Sequence, residues 1–175
     1  MIRTSSIAGL VLGCAFAGSV AADGFEFDPG NMYAGGGIGI NSVSFVSDDA
    51  TGFQIFGGYN FGEIFGVENL DLLVEVGYMD SGDFDQCVAF NFFTGECLER
   101  ESFSATGLWS TGGVAYRINP QWSVFGRAGL DFGDDDGFMI GAGGAFHMNE
   151  QLEFRLELVE RDNISSLQVN VAFDF

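Results

Sequence analysis

The chain has 175 residues, is 47% hydrophobic and 15% aromatic, and carries a formal net charge of −19 without a single lysine. So acidic a chain repels a phosphate backbone, which excludes nucleic acid as a partner. Beyond residue 22 no apolar run reaches the 18 or so residues of a membrane-spanning helix, which excludes a helical membrane protein.

Residues 1–22 have the form of a secretory signal peptide. Arg3 is the basic start, Ile7 to Gly18 is apolar and uncharged, and Ser19, Ala21 and Ala22 supply small residues for cleavage after Ala21 or Ala22. Val11-Leu12-Gly13-Cys14 offers a competing lipobox, disfavoured because Cys14 lies inside the apolar stretch rather than at its end. Residues 23–175 show no composition shift that marks a linker and are expected to form one domain.

In chain order, eight segments alternate with a period of two, the mark of strands with unlike faces. The first, roughly 32–45, is glycine-rich and its facing is ambiguous, which a glycine-eased bend or bulge would explain. The second sets Phe53, Ile55, Tyr59 and Phe61 against Gln54, Phe56, Gly58 and Asn60. In the third, Leu70, Leu72, Val74, Val76 and Tyr78 oppose Asp71, Leu73, Glu75, Gly77 and Met79. A long link, 81–102, follows. Cys87 and Cys97 flank Thr94-Gly95, where the chain can turn back, and an exported protein meets an oxidising compartment, so one disulfide closing a loop is predicted. A metal site would want further Cys or His nearby, and the single histidine, His147, is remote in sequence.

The fourth segment, roughly 103–118, ends with Val114, Tyr116 and Ile118 opposite Ala115 and Arg117. The fifth sets Trp122, Val124, Gly126, Ala128, Leu130 and Phe132 against Ser123, Phe125, Arg127, Gly129 and Asp131. The sixth runs from Phe138 to His147, the seventh alternates Leu152, Phe154, Leu156 and Leu158 with Glu153, Arg155 and Glu157, and the last alternates Leu167, Val169, Val171, Phe173 and Phe175 with polar residues.

A water-soluble barrel turns its apolar face inward, whereas a membrane barrel inverts that order. Here the polar faces carry many Gly and Ala and few long solvating side chains, which suits a narrow interior. The fold class expected is therefore all-β: an eight-stranded antiparallel up-and-down transmembrane β-barrel following a signal peptide. Buried charges must be paired, so Glu75, Arg117, Arg127, Asp131, Glu153, Arg155 and Glu157 are expected to form a salt-bridge network plugging the lumen. Trp122, Tyr116, Tyr59, Phe61 and Phe175 beside one set of turns, and Phe53, Tyr78, Phe132 and Phe138 beside the other, suit two interfacial girdles. Even-numbered links are short and odd-numbered ones acidic or long, which places the latter outside the cell.

These features resemble the OmpA-like and OmpX-like small outer-membrane β-barrels, including the opacity-type porin-family proteins, over essentially the whole mature chain. The most specific part is the last strand, where Val171, Phe173 and Phe175 resemble the terminal signal read by the barrel-assembly machinery. Tyr33 to Gly39 and Tyr116 to Ser123 add family character. The resemblance implies an outer-membrane protein with a structural or surface-interaction role, surrounded by outer-membrane lipid and lipopolysaccharide, engaging the assembly machinery on insertion, monomeric, without cofactor or metal, and not an enzyme. The surface partner is not written in the residues.

Several alternatives remain. An interior as charged as this one counts against a soluble periplasmic ligand-binding barrel. A narrow ion-conducting barrel would need the salt-bridge network to rearrange. Lipid A deacylases of barrel form carry a serine two residues after a histidine, but His147 is followed there by Asn149 and is read as a hydrogen-bonded lumen residue near the barrel floor. Asp134-Asp135-Asp136 reads as an acidic, solvated hairpin loop in preference to a cation site. Phe90, Phe92 and Phe93 either contact a partner or cover the barrel mouth.

Overall fold

Successive side chains of a strand point to opposite faces, so eight strands with one apolar and one polar face can close into a cylinder that sorts the two kinds. The computed structural model, which describes residues 28–43, 48–94 and 97–175, does this. The expected signal peptide, residues 1–22, and the alternative lipobox at Cys14 lie outside the described residues.

The strands are β1 (Met32–Val43), β2 (Ala50–Glu63), β3 (Leu70–Asp80), β4 (Phe84–Phe90), β5 (Cys97–Phe103), β6 (Thr106–Asn119), β7 (Trp122–Gly133), β8 (Gly137–His147), β9 (Leu152–Glu160) and β10 (Ile164–Asp174). Eight of them close in the order β1-β10-β9-β8-β7-β6-β3-β2. The seam pairs β1 antiparallel with β10 from Tyr33 opposite Asp174 to Val43 opposite Ile164. The barrel strands run from 9 residues in β9 to 14 in β2 and β6, sufficient for tilted strands to cross a hydrocarbon layer. No helix among the described residues is long and apolar enough to do so.

The apolar face is the outer one. At mid-height Val169 is 52% exposed and its cross-strand partner Leu156 56%, while their chain neighbours Gln168, Asn170, Arg155 and Glu157 are buried. Ring pairs line both rims of this surface, with Tyr59 against Phe61 and Trp122 against Phe146 at the end of the short turns, and Phe53 against Tyr78 at the end of the long links.

The first strand corrects one expectation. Its pairing is unbroken on both sides, and its inward residues are Tyr33, Gly35, Gly37, Gly39 and Asn41. The facing was ambiguous because glycine marks neither face, and the glycines serve close approach rather than a bulge. A Cβ at Gly37 would lie 2.1 Å from the Val169 carbonyl oxygen. Within the barrel the register shifts fall instead between Asn60 and Glu63 and between Arg117 and Asn119, at the short-turn end.

The segment 81–102, expected as a link, holds a second sheet formed by β4 and β5. Alternation did not reveal it because β5 is exposed along nearly its whole length, with neither face packed on a core. Its base is tied to the barrel rim: Ser81 N donates to the Ala105 carbonyl at 2.9 Å, Ala105 N donates to Ser81 Oγ at 2.8 Å, and Phe84 is fully buried.

Candidate functional site in the barrel lumen

Inward parity brings Glu75 from β3, Arg127 from β7, and Glu153, Arg155 and Glu157 from β9 into one buried cluster. Arg127 grips Glu157 with two nitrogens, Nε and Nη2, at 2.5 and 2.8 Å, and its Nη1 donates to Glu75 at 2.8 Å. Arg155 Nη1 donates to the other Glu75 oxygen at 2.5 Å, and its Nε donates to Glu153. The Tyr33 hydroxyl also donates to Glu75, at 2.8 Å. Charge-assisted bonds of this kind offset the cost of taking these groups out of water.

Aromatic rings pack around the two guanidinium groups. Arg127 lies 4.5 Å from the Trp109 ring centroid, and Arg155 lies within 5.5 Å of those of Tyr33, Phe56 and Phe125. Such contacts add cation–π attraction where water is excluded. Each ring finds room by standing opposite a glycine: Tyr33 opposite Gly58, Phe56 opposite Gly35, Trp109 opposite Gly77 and Phe125 opposite Gly143. A Cβ at Gly77 would come 2.5 Å from Trp109.

Two of the seven residues expected in the network stand outside this cluster. Arg117 is half exposed at the short-turn mouth and pairs with Asp71 at 3.5 Å. Asp131 lies near the long-link end and accepts from Arg161 Nε at 2.8 Å. Parity along a strand decides facing, but depth along the barrel axis decides which inward residues meet. Arg161 was missed because it lies one residue beyond the end of β9. The lumen is also less polar than expected: Met79, Met139, Val159 and Ile164 join Phe84 in a buried apolar cluster at the long-link end.

At the short-turn end the lumen opens as a cavity of about 600 Å³. Ser123, His147 and Glu153 line it, with His147 Nδ1 3.1 Å from Glu153 Oε2 and His147 Nε2 3.1 Å from Ser123 Oγ. His147 is thus hydrogen-bonded in the lumen near the floor, where the sequence placed it. Its serine partner comes from a neighbouring strand rather than from two residues along the chain.

At the opposite end Asp134 Oδ2 accepts from Thr106 N and Oγ1, and Asp135 accepts from Asn163 N and Nδ2. These aspartates tie adjacent links together. Among the described residues no group of three or more His, Cys, Asp or Glu is placed to hold a metal ion. Cys87 and Cys97 form a disulfide across the β4–β5 hairpin, with Cα atoms 5.8 Å apart. Phe92 and Phe93 at its tip are fully exposed and so do not cover the barrel mouth, whereas Phe84 at its base is fully buried. Val171, Phe173 and Phe175 lie on the outer face, the last two with rings edge to face at 5.9 Å.

The fold has solved counterparts. It is similar to a de novo designed transmembrane β-barrel, with a TM-score of 0.56 and 19% identity, covering 86% of this chain and 100% of that one. It is also similar to Ail, the attachment invasion locus protein of Yersinia pestis. The Ail structure in complex with the heparin analogue sucrose octasulfate gives a TM-score of 0.51 and 13% identity, covering 82% of this chain and 96% of that one. The Ail backbone structure in a phospholipid bilayer nanodisc gives 0.53 and 14%, covering 82% and 99%. No curated protein sequence matches the chain. The family model for the outer membrane protein β-barrel domain matches residues 8–175. With the inverted faces and the closed eight-stranded sheet, this match makes the chain a member of the outer-membrane β-barrel family, located in the bacterial outer membrane.

Proposed function

We propose that this protein is a closed envelope barrel that contributes to outer-membrane structure and presents a rigid surface hairpin, rather than a pore. The observation that carries this reading is the Glu75, Arg127, Arg155 and Glu157 cluster, which joins β3, β7 and β9 across the lumen at mid-height. At the level of this cluster the interior of an eight-stranded barrel is filled by side chains. The outer face then meets outer-membrane lipid and lipopolysaccharide, Val171, Phe173 and Phe175 address the assembly machinery, and the barrel works as a monomer. The long-link end, with the disulfide hairpin, faces out of the cell.

Planar-bilayer recording tests closure. Wild type is expected to show no unitary current, and Arg127→Ala to show brief openings or none. Steady conductance of the wild type would replace this reading with that of a narrow ion channel.

The hairpin supports a contact role for this end. Ail has been solved with the heparin analogue sucrose octasulfate, but the long-link end here carries Asp48, Asp49, Asp83, Asp136 and Asp162 exposed, which disfavours polyanions. An uncharged or cationic partner engaging Phe92 and Phe93 fits this surface better.

A further inference from the structure

We propose that Ser123, His147 and Glu153 form a serine-hydrolase triad in the short-turn mouth, acting on carboxylic esters that enter from the water on that side. The three side chains come from β7, β8 and β9. The register sets His147 directly opposite Glu153, and sets Ser123 opposite Ala145, two residues before His147 on the same inward face. The result is an unbroken chain of contacts, Ser123 Oγ to His147 Nε2 at 3.1 Å and His147 Nδ1 to Glu153 Oε2 at 3.1 Å.

The protonation pattern follows from the partners. Arg155 Nε occupies the other oxygen of Glu153 and holds the carboxylate in place. A carboxylate only accepts, so His147 Nδ1 carries a proton, and in the neutral ring Nε2 then presents its lone pair to the Ser123 hydroxyl, which donates. This is the tautomer that a general base for a serine nucleophile requires.

The surroundings supply the remaining parts. All three residues line a cavity of about 600 Å³, within the size range of small-molecule sites, ~300–1,000 Å³. Arg117 lines the same cavity directly opposite Ser123 in the β6–β7 pairing, and its half-exposed guanidinium, paired among the described residues with Asp71 at 3.5 Å, keeps donors for a developing oxyanion. Leu73 and Phe125 give the cavity an apolar wall for the acyl group.

The reaction balances with water as the second reactant. Ser123 Oγ bonds to the ester carbonyl carbon as its proton passes to His147 Nε2, and the carbonyl oxygen becomes an oxyanion facing Arg117. The bond from carbon to the alkoxy oxygen then breaks, and His147 returns the proton to the departing alcohol. A water molecule attacks the acyl-serine through the same base, releasing the carboxylic acid and restoring Ser123.

The test uses the full chain folded in detergent and a fluorophosphonate probe, with the modified residue located by peptide mass spectrometry. One adduct on Ser123 is expected, absent in Ser123→Ala and formed about 100-fold or more slowly in His147→Gln. Boiling-dependent gel mobility verifies that each variant is folded, and mapping the wild-type adduct decides the matter if a variant does not fold. A serine that merely hydrogen-bonds a structural histidine does not react, so folded wild type without an adduct overturns the proposal, as does His147→Gln reacting at the wild-type rate. Hydrolysis of p-nitrophenyl butyrate without fatty-acid release from phospholipid in the same micelles supports entry from water, and the reverse result overturns it.

Discussion

Removing Arg127 should destabilise the barrel more than neutralising Glu75, although both residues lie in one cluster. Arg127→Ala deletes three charge-assisted hydrogen bonds. It leaves Glu157, whose side chain is 2% exposed, without the guanidinium that pairs it, and Glu75 with one guanidinium, that of Arg155, beside the Tyr33 hydroxyl. Breaking a buried pair by removing one partner costs about 3–5 kcal/mol. Glu75→Gln keeps the Arg127–Glu157 and Arg155–Glu153 pairs, and an amide oxygen can still accept from either arginine or from Tyr33. Its cost should be about 1–3 kcal/mol. Urea unfolding from lipid vesicles, followed by boiling-dependent mobility and by tryptophan fluorescence, to which Trp109 against Arg127 contributes, measures both. Arg127→Met combined with Glu157→Leu should recover much of the loss, since an apolar pair leaves no stranded charge. Equal shifts for Arg127→Ala and Glu75→Gln would mean that the cluster is hydrated, and the argument for a closed lumen would fail with it.

Two further outcomes follow from facing and from the hairpin. Val169→Arg places a charge on the outer face at mid-height and should cost about 2–4 kcal/mol and impair insertion; normal folding yield into vesicles would show that this face does not meet lipid. Replacing Cys87 and Cys97 by serine should speed proteolysis near Phe92 and Phe93 on intact cells while leaving the urea midpoint of the barrel unchanged, because β4 and β5 pair only with each other; a lowered midpoint would show that the hairpin braces the barrel.

The eight barrel strands, and the direction of the faces of all but the glycine-rich first, were legible because side-chain parity is a local property. Leu167 to Phe175 declares its apolar face without reference to any other strand. Strand β5 was not legible, since a strand with both faces in water has no reason to alternate. The charged residues were recognised as inward-facing, and the C-terminal segment as a lipid-facing strand, from sequence alone.

Grouping those charges required the three-dimensional register. Arg117 and Arg127 have the same parity and share a face, yet the first reaches Asp71 at the mouth and the second reaches Glu75 and Glu157 at mid-height. The Ser123, His147 and Glu153 contacts were likewise invisible, because the three residues lie on three strands and only the pairing offsets of β7, β8 and β9 bring them to one depth. The residues themselves thus determined the class of fold, the sidedness of every strand but the glycine-rich first, and the disulfide. Which inward side chains touch was decided only by closure of the sheet, because stagger between strands sets depth along the axis and no single strand encodes its neighbour's offset.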